Sequence, residues 1–440
     1  METSHFDIII VGAGASGLSA GREFAKAGKK VCILEGRNRT GGRIHTVHDP
    51  SFEKPVEAGA EFIHGHCPLT ISLLNEYRID YHPVKGSFWR ARKNGDMNHS
   101  DDFIDEHQHL LAKHLKELKE DISVEKFLEI NFDEEKYSSL KNSIRKFVEG
   151  YDVADPSRAS TYAFREEWLN EEDEQYRIAG GYGRLISALE NECFNKGCII
   201  KTSARAKIIY WKPYDVKILL HDGSDVTAAK VIITAPPGVL ASTSDHVNSI
   251  NFSPAIPDTI KALEGIGYGG VIKIALQFNN EFWKEDEIQK RVGENFKKLS
   301  FVFSDELIPT WWTQFPDSLP MLTGWLGGSA AARHAFTEEE IILKEALKSL
   351  SSIFQLPPDD LSLRLIASHI YNWVLDPYSA GAYSYAMVDS PLQKKILNQP
   401  IQETIYFSGE ALSLSGNSGT VEAALNSGFY VAKRILSPEN

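Results

Sequence analysis

The sequence predicts an α/β protein built from two domains. The chain has 440 residues, more than most single domains contain, and its 42% hydrophobic and 24% charged residues are typical of a folded globular protein. Its N-terminal segment FDIIIVGAGASGLSAGREFAKAGKKVCILE runs through an apolar strand, a glycine-rich turn, an amphipathic helix and a second apolar strand. This order predicts a Rossmann-like domain, and the remaining length predicts a second domain with a mixed sheet and helices.

The glycine-rich turn carries Gly12, Gly14 and Gly17 in the spacing GxGxxG. A lone match to this spacing is weak, but here the glycines follow a strand and open a helix, and the next strand, VCILE, ends in Glu35. That order supplies a tight turn, a close backbone approach to a pyrophosphate at a helix N-terminus and a carboxylate for ribose hydroxyls. The segment therefore predicts a dinucleotide site.

The next segment, EGRNRTGGRIHT, extends this site, because Gly42 lets the backbone pass close to a ligand and Arg43 can pair with a phosphate. A second GxGxxG match at Gly265, Gly267 and Gly270 follows a helix-like segment and precedes a strand, so its order is inverted and it predicts no phosphate site. Enzymes that draw electrons from NAD(P)H through another nucleotide cofactor usually carry two such units. A single unit indicates that the substrate itself supplies electrons.

Charge and composition limit the classes of binding partner and the cellular compartment that can be expected. The net charge of −13 argues against nucleic acid or an anionic membrane as a partner and mildly favours a cationic substrate. The start METSHFDIIIVG resembles no secretory signal, and no run of about 20 apolar residues predicts a membrane span. The four cysteines form no CxxC pair and are expected to be buried reduced thiols. These observations predict a cytoplasmic protein.

One apolar strand, GGVIKIALQF, contains a charge at its centre. Side chains alternate across a strand, so Val271, Lys273 and Ala275 share one face, and the more apolar residues Ile272 and Ile274 lie on the other. The lysine either meets water as an ordinary solvated charge or lines a closed cavity in which an amine is used. The strand alone does not decide between these readings.

The sequence resembles the flavin-dependent amine oxidase family, which includes monoamine oxidases, polyamine oxidases and lysine-specific histone demethylases. The glycine-rich motif is followed by further blocks in the family's order, spread along the whole chain. These are PVEAGAEFIHG (55–65), VIITAPPGVL (231–240), VIKIALQF (271–278), WVLDPYSAGAYSY (373–385) and YFSGEALSLSGNSGTVEAALNSG (406–428). Several blocks in order are much more specific than any one of them.

The resemblance implies bound FAD in a two-domain architecture like that of amine oxidases and p-hydroxybenzoate hydroxylase. One group of residues is expected around the adenosine and pyrophosphate, namely Gly12, Gly14, Ala15, Ser16, Gly17, Glu35, Arg37, Gly42 and Arg43. A second group is expected along the isoalloxazine ring, namely Gly59, Ala60, Glu61 and Phe62. A third group is expected at the ribityl chain and pyrophosphate from the other end, namely Gly409, Glu410, Thr420 and Val421. No metal site is predicted.

The resemblance also implies four catalytic residues. Lys273 matches a strand lysine beside the flavin, which makes it a candidate for proton handling or for organising oxygen reduction. His64 matches a histidine characteristic of polyamine oxidases, with a substrate nitrogen as its partner. Trp373 and Tyr383 match aromatic residues whose electron-rich faces can guide an amine nitrogen towards the ring.

Three departures from the family's patterns bear on substrate and cofactor. Amino-acid oxidases of this superfamily usually hold the substrate carboxylate with an arginine where this chain has Glu61 and Phe62, so a simple amine is favoured. Monoamine oxidases attach FAD through a cysteine where this chain has Ala382, so FAD is expected to be non-covalent. A tyrosine common before the final helix is replaced in the stretch from Asn417 to Gly419, so the aromatic cage is expected to be incomplete.

The resulting hypothesis is an oxidase of a primary or secondary amine, with a polyamine as one candidate. Hydride transfer from the carbon beside a neutral amine nitrogen to flavin N5 is expected to give an imine, which water hydrolyses to an aldehyde or ketone. Dioxygen would be reduced to hydrogen peroxide. The alternatives are an L-amino-acid oxidase that anchors its carboxylate elsewhere, and a flavin-binding relative that is inactive or is not an oxidase.

The predicted FAD-binding domain comprises residues 1–80, 198–265 and 392–440, and the predicted substrate-binding domain comprises residues 81–197 and 266–391. The expected partners are a small-molecule amine and dioxygen, and the sequence leaves monomer and homodimer open. The acidic run EEWLNEEDEQY (166–176) either attracts a polyamine at the mouth of the site or is a solvated charged face.

Overall fold

The computed structural model describes residues 5–92, 97–99, 107–169, 174–241, 248–414 and 418–437. Its strands, in chain order, are β1 His5–Val11, β2 Val31–Leu34, β3 Thr46–Val47, β4 Val56–Glu57, β5 Phe62–His64, β6 Tyr81–Pro83, β7 Ser87–Ala91, β8 Met97–His99, β9 Gln175–Ile178, β10 Ile199–Lys201, β11 Ala206–Lys212, β12 Asp215–Leu220, β13 Asp225–Ile233, β14 Asn251–Ser253, β15 Gly267–Gly269, β16 Val271–Phe278, β17 Leu299–Ser304, β18 Thr310–Thr313, β19 Met321–Gly327, β20 Leu365–Asn372, β21 Tyr383–Tyr385 and β22 Ile405–Phe407.

The α-helices of the described residues are α1 Ala15–Lys26, α2 Pro68–Glu76, α3 Gln108–Glu117, α4 Val124–Asn131, α5 Ser138–Gly150, α6 Thr161–Leu169, α7 Gly183–Asn195, α8 Pro237–Leu240, α9 Pro257–Leu263, α10 Asp286–Val292, α11 Gly328–Arg333, α12 Glu339–Phe354, α13 Pro358–Arg364, α14 Ser390–Leu397 and α15 Val421–Leu436. Short 3-10 helices cover Glu135–Tyr137, Phe282–Lys284 and Glu410–Leu412.

The larger sheet has the strand order β10-β2-β1-β13-β12-β11-β14, with β22 also pairing with β13. Strands β10, β2, β1, β13 and β22 pair in parallel, as expected for strands joined by crossover helices. Helices α1, α7 and α15 pack into the core on one face, through residues such as Leu18, Leu189 and Leu425. The predicted strand, glycine turn, helix and strand are thus confirmed, and the α/β fold class with them.

The second sheet has the order β20-β16-β19-β18-β17-β7-β8 and is mixed, since β7 and β17 pair in parallel and the other neighbours are antiparallel. Strand β16 lies next to its edge and is buried along its whole length. Its residues Ile272, Ile274 and Leu276 enter an apolar core with α12, while Val271 joins a separate cluster. The alternation predicted for this strand is confirmed. Lys273 is only 1% exposed, so the solvated reading of its charge is wrong.

Helices α3 to α6 form a separate apolar cluster. Every strand of the larger sheet lies within the residues predicted for FAD binding, and every strand of the second sheet within those predicted for substrate binding. Helix α7 is an exception, because it packs in the core of the larger sheet although residues 81–197 were predicted for the second domain. The domain boundaries themselves stay a prediction.

Within the described ranges, no helix has the length and apolar character that a membrane span requires.

Candidate cofactor and active site

The glycine turn between β1 and α1 is tightly packed. Gly12 has a φ of +113°, and a Cβ atom there would lie 2.3 Å from Thr234 Oγ1. A Cβ atom on Gly17 would lie 2.0 Å from the carbonyl oxygen of Gly12, so α1 could not begin this close to β1 with any larger residue. Gly14 precedes the helix without a side-chain cap, and Ala15 and Ser16 form its first turn. The turn therefore presents backbone N–H groups of a helix N-terminus, as a pyrophosphate requires.

Glu35 is fixed beside this turn at the end of β2. Its Oε2 accepts a hydrogen bond from the Ala13 backbone N–H and its Oε1 one from the Arg37 backbone N–H, both at 2.8 Å. The side chain is buried, and each carboxylate oxygen keeps capacity to accept another donor. This is the arrangement that the ribose hydroxyls of a dinucleotide need.

A cleft of about 630 Å³ opens directly beyond Glu35. It is lined by Gly36, Arg37, Asn38, Arg39, His45, Ser203, Arg205, Ile370, Tyr371, Asn372, Trp373, Asp376 and Tyr378. Arg37 donates to both carboxylate oxygens of Asp376, at 2.8 and 2.6 Å, and lies 5.0 Å from the centre of the Tyr378 ring. Among the described residues, the buried Tyr371 hydroxyl has no hydrogen-bond partner. A cationic, aromatic cleft with an unpaired hydroxyl fits a nucleotide phosphate ligand of the size of FAD.

The C-terminal block is tied to the first block through Arg43 and Glu410. Arg43 donates to Glu410 Oε1 at 2.7 Å and to the Ala382 carbonyl at 2.8 Å. Glu410 Oε2 in turn accepts from the Ser384 hydroxyl at 2.5 Å and from the Gly419 backbone N–H at 2.8 Å. The structure thereby places the segment from Gly409 to Glu410, and the start of α15, beside the glycine turn.

Helix α15 begins at Val421, and the Thr420 side chain caps it by accepting a hydrogen bond from the Ala423 backbone N–H. It packs closely on α1, because a Cβ atom on Gly428 would lie 2.1 Å from the Ser16 carbonyl oxygen. The Ser16 and Ser408 hydroxyls are also hydrogen-bonded, at 2.8 Å. The first turn of α1 is therefore held against the side of α15 and beside Ser408.

Two of the four predicted catalytic residues hold the same backbone segment. The Trp373 indole N–H donates to the Ala58 carbonyl at 2.7 Å, and Lys273 Nζ donates to the Gly59 carbonyl at 3.1 Å. The Ala60 N–H donates to the Arg43 carbonyl, which joins this segment to the cofactor side. Lys273, Trp373 and the residues predicted along the isoalloxazine ring are thus brought together. The Glu61 carboxylate accepts a hydrogen bond from Lys273, and its place along the ring stays a prediction.

Aromatic side chains extend from this segment as a continuous wall. Phe62 contacts Trp312 with ring centres 5.6 Å apart, Trp312 lies 6.0 Å from Trp325, and Trp325 stacks on Tyr383 at 6.3 Å. Phe301 joins the wall 5.9 Å from Trp312. The sequence reasoning missed Trp312, Trp325 and Phe301, although the tryptophans stand out in the strands TWWT and MLTGWLG. The aromatic ring that stacks on Tyr383 is thus Trp325, which lies on β19. Asn417, where the aromatic cage was expected to be incomplete, lies outside the described residues.

His64 and Tyr383 approach each other through Tyr151. The His64 ring stands edge-on to the Tyr151 ring at 5.9 Å, and the Tyr383 hydroxyl donates to the Tyr151 carbonyl at 2.5 Å. His64 Nδ1 is buried and has no hydrogen-bond partner among the described residues. Burial lowers the pKa of His64 to about 4, so the imidazole is neutral near pH 7. A neutral ring nitrogen is thereby available to a ligand.

Two acidic residues beside Tyr383 were not predicted individually. The half-buried Asp152 carboxyl is hydrogen-bonded to Glu167, and burial raises the pKa of Asp152 to about 7. Burial, followed by the charges of Asp152 and Glu167, raises the pKa of Tyr383 well above its usual value. Glu167 belongs to the acidic run noted in the sequence, of which residues 170–173 lie outside the described part of the chain. Nothing in the sequence around Asp152 indicated its position.

The backbone after Asp152 is strained. Val153 has a φ of +51°, which is rare for a β-branched residue, and its side chain is buried against Val271, Trp373 and Ala382. A Cβ atom on Gly269 would lie 2.0 Å from the Val153 carbonyl oxygen, so a glycine is needed opposite it. Strain of this kind persists only where packing fixes it, and it is common at functional sites. Packing of Val153 therefore fixes the backbone next to Asp152.

The profile of the family described as flavin-containing amine oxidoreductase matches residues 15–436. Over 98% of its length the chain is 27% identical to polyamine oxidase 4 of Oryza sativa subsp. japonica, of which it covers 89%. It is 28% identical to lysine-specific histone demethylase 1 homolog 2 of the same plant, over 98% of this chain but 57% of that protein.

Two solved structures resemble the whole fold. Wild-type putrescine oxidase bound to putrescine has a TM-score of 0.78 at 19% identity, with 99% of each chain covered. Cyclohexylamine oxidase from Brevibacterium oxydans IH-35A has a TM-score of 0.79 at 19% identity, with 98% of this chain and 99% of that chain covered. At this identity the likeness supports the shared fold of the two domains.

Proposed function

Because the chain belongs to the family of flavin-containing amine oxidoreductases, we propose that it oxidises a di- or polyamine whose second ammonium group is bound by Asp152 and Glu167. The enzyme is a flavin-dependent amine oxidoreductase with FAD as cofactor. When bound, FAD supplies the acceptor that takes two electrons from the carbon beside the amine nitrogen. For a primary amine, the reaction consumes amine, water and dioxygen and yields aldehyde, ammonia and hydrogen peroxide.

The observation that carries the proposal is the pair of hydrogen-bonded carboxyl groups beside the aromatic wall. Two carboxyl groups this close share a proton when the site is empty, because both cannot ionise without repulsion. A second ammonium group replaces that proton and donates charge-assisted hydrogen bonds to oxygen atoms of both carboxylates. Relatives named as polyamine oxidases, and a putrescine-bound structural relative, support this choice of substrate.

Each of the other side chains has a role consistent with a neutral reacting nitrogen. The wall of Trp325 and Tyr383 excludes water and presents ring faces to the amine. Neutral His64 can accept a hydrogen bond from that nitrogen, or donate one to it, through its unpaired Nδ1. Hydride loss is favoured from the uncharged amine, because its lone pair stabilises the positive charge that develops on carbon.

An α-amino acid is disfavoured as a substrate. The guanidinium of Arg177 lies 4.6 Å from the centre of the Phe62 ring, and it already donates to Glu61 and to the Thr313 and Phe315 carbonyls. A substrate carboxylate would also meet the charges of Asp152 and Glu167. Both effects oppose binding of an L-amino acid, which is the alternative considered from the sequence.

Three amines built on the same carbon chain test the proposal, namely butylamine, putrescine and ornithine. Putrescine adds a second ammonium group to butylamine, and ornithine adds a carboxylate to putrescine. We expect kcat/KM for putrescine, measured by peroxide release, to exceed the other two values by at least about tenfold, since one charge-assisted contact contributes about 1.5–3 kcal/mol. Equal turnover of butylamine and putrescine would contradict the second-ammonium site, and turnover of ornithine alone would favour the amino-acid oxidase.

The pH dependence of binding provides a second expected result. Below about pH 7 the Asp152–Glu167 pair holds an extra proton and carries less negative charge, so a dication binds less tightly. We expect the ratio of KM for butylamine to KM for putrescine to rise about tenfold between about pH 6 and about pH 8. Both substrates react through a primary amino group. The titration of that group changes the two KM values alike and largely cancels in their ratio. A ratio that stays constant over this range would rule out a titrating carboxyl pair in the binding site.

The cofactor is proposed to be non-covalent, since Ala382 offers no nucleophile. Acid precipitation of the holoenzyme should therefore release all of the flavin into the supernatant, as measured by its absorbance. Flavin that stays with the protein pellet, or a flavinylated peptide in a digest, would show a covalent bond that this site does not explain.

A further inference from the structure

Glu61 accepts four hydrogen bonds in the interior of the protein. Its Oε2 accepts from Lys273 Nζ at 2.8 Å. Its Oε1 accepts from Arg177 Nε at 3.1 Å, from the Trp312 indole N–H at 3.0 Å and from Gln314 Nε2 at 3.4 Å. The side chains of Glu61, Lys273 and Arg177 are 6%, 2% and 7% exposed. The carboxylate therefore lies between two buried cations, away from bulk water.

The Glu61 carboxylate is held rigidly. Arg177 donates to the Thr313 and Phe315 carbonyls as well, so the guanidinium cannot turn away from the carboxylate. Burial alone would raise the pKa of Glu61, but the charges of Lys273 and Arg177 outweigh burial and hold that pKa below its usual value. Glu61 is therefore ionised throughout the neutral range and supplies a permanent negative charge opposite Lys273.

A lysine ammonium has three N–H donors, and two of those of Lys273 are used by Glu61 and the Gly59 carbonyl. The remaining donor is the one that can reach a ligand next to the segment 59–60. Burial of an ammonium without a carboxylate is costly, and Glu61 supplies that carboxylate at 2.8 Å from Nζ. The other carboxyl group near this cluster, Glu57, has its pKa raised to about 7 by burial and accepts from Thr46 and from the Tyr182 N–H.

We propose that Glu61 is a positioning residue that fixes Lys273 as a charged hydrogen-bond donor, so that Lys273 serves the reduction of dioxygen and does not act as a base towards the amine. The inference rests on the proposed oxidase function. A fixed positive charge stabilises the negative charge that oxygen acquires as it takes up two electrons, which come from the amine, and two protons to form hydrogen peroxide. A lysine held in its charged form has no lone pair, so it cannot accept a proton from the amine.

The test separates the two halves of the reaction in the holoenzyme. Lys273→Met, Glu61→Gln and the double variant are mixed anaerobically with putrescine, and the reduced enzymes are then mixed with oxygenated buffer. We expect each single variant to keep FAD, to be reduced within about threefold of the wild-type rate and to be reoxidised at least about tenfold more slowly, a loss of about 1.4 kcal/mol. The double variant should be reoxidised no more slowly than Lys273→Met, because Glu61 acts through Lys273.

Two readouts do not depend on turnover. The two substitutions remove charges of opposite sign beside the ring, so the visible absorbance maximum of the oxidised holoenzyme should shift in opposite directions in the two single variants. In urea unfolding, the two substitutions should be strongly non-additive, since Glu61→Gln leaves the buried Lys273 without its carboxylate and Lys273→Met removes the group that needs it. Glu125→Gln breaks the Arg145–Glu125 pair, whose contacts of 2.9 and 2.6 Å are similar but lie in the helical cluster, and it should change neither half-reaction.

Several outcomes would overturn the inference. Equal slowing of reduction and reoxidation in Glu61→Gln would indicate a general structural role, and additive effects in the double variant would show that Glu61 does not act through Lys273. If Glu61→Gln does not fold, the double variant, which keeps the net charge of the cluster, must fold and be reoxidised as slowly as Lys273→Met. Failure of putrescine to reduce the wild-type enzyme would instead reject the proposed function, which keeps the two failures distinct.

Discussion

Replacing Gly17 with alanine should abolish retention of FAD. The new Cβ atom would lie 2.0 Å from the Gly12 carbonyl oxygen, a distance that real Cβ atoms essentially never reach. Because the obstacle is the Gly12 backbone, which no side-chain rotation can relieve, α1 must move away from β1 and the N–H groups of its first turn would leave the pyrophosphate. We expect the affinity for FAD to fall by roughly hundredfold or more, equivalent to about 2.7 kcal/mol. The flavin absorbance of the purified protein measures this loss directly.

Gly150→Ala is the matched control, since a Cβ atom there would have nothing within 4 Å. Gly150 is the last residue of α5, and its carbonyl would still accept the Trp325 indole hydrogen bond. This variant should bind FAD like the wild type. If Gly17→Ala were as yellow as the wild type after dialysis, the glycine turn would not be the pyrophosphate site.

Replacing Asp152 with asparagine should raise KM for putrescine by about thirtyfold and leave KM for butylamine within about threefold. The charge-assisted hydrogen bond lost with the carboxylate contributes about 1.5–3 kcal/mol, and butylamine has no ammonium group to place there. Glu167→Gln should act in the same direction, and steady-state kinetics with both amines measures the two effects. Because asparagine keeps the shape of the side chain, the strained backbone at Val153 should be unaffected.

Glu166→Gln provides the control for these carboxyl variants. Glu166 precedes Glu167 on α6, is exposed, and pairs with Arg165 at 2.9 Å. Its loss removes the same charge from the same helix outside the Asp152–Glu167 pair, so KM for putrescine should change by less than about twofold. Equal effects of Glu166→Gln and Glu167→Gln would mean that the acidic run attracts putrescine only through its overall negative charge, as a solvated charged face does.

The features that the sequence predicted are those fixed by neighbouring residues. The turn from Gly12 to Gly17 and the carboxylate of Glu35 lie within one strand–helix–strand unit, so their order alone gives their geometry. The alternation of β16 was also local, and it placed Lys273 opposite the face of Ile272 and Ile274. The family resemblance then assigned Lys273 and Trp373 to one place, and the structure brings both onto the segment 58–59.

The features that could not be predicted depend on contacts between distant parts of the chain. Lys273 and Glu61 are 212 positions apart, and Glu61 and Arg177 are 116 apart, so no local pattern indicates that they form one charge cluster. The backbone next to Asp152 is held by Val153, which packs against Trp373, a residue 220 positions away. Propensity alone would not place a valine in that conformation.

The most direct test of the central claim is an anaerobic titration of the purified holoenzyme with putrescine. The account predicts that about one equivalent of putrescine bleaches the visible flavin absorbance completely, and that admission of oxygen restores the colour and releases an equal amount of hydrogen peroxide. An enzyme that keeps its FAD and stays fully oxidised with excess putrescine, butylamine and ornithine alike would contradict it.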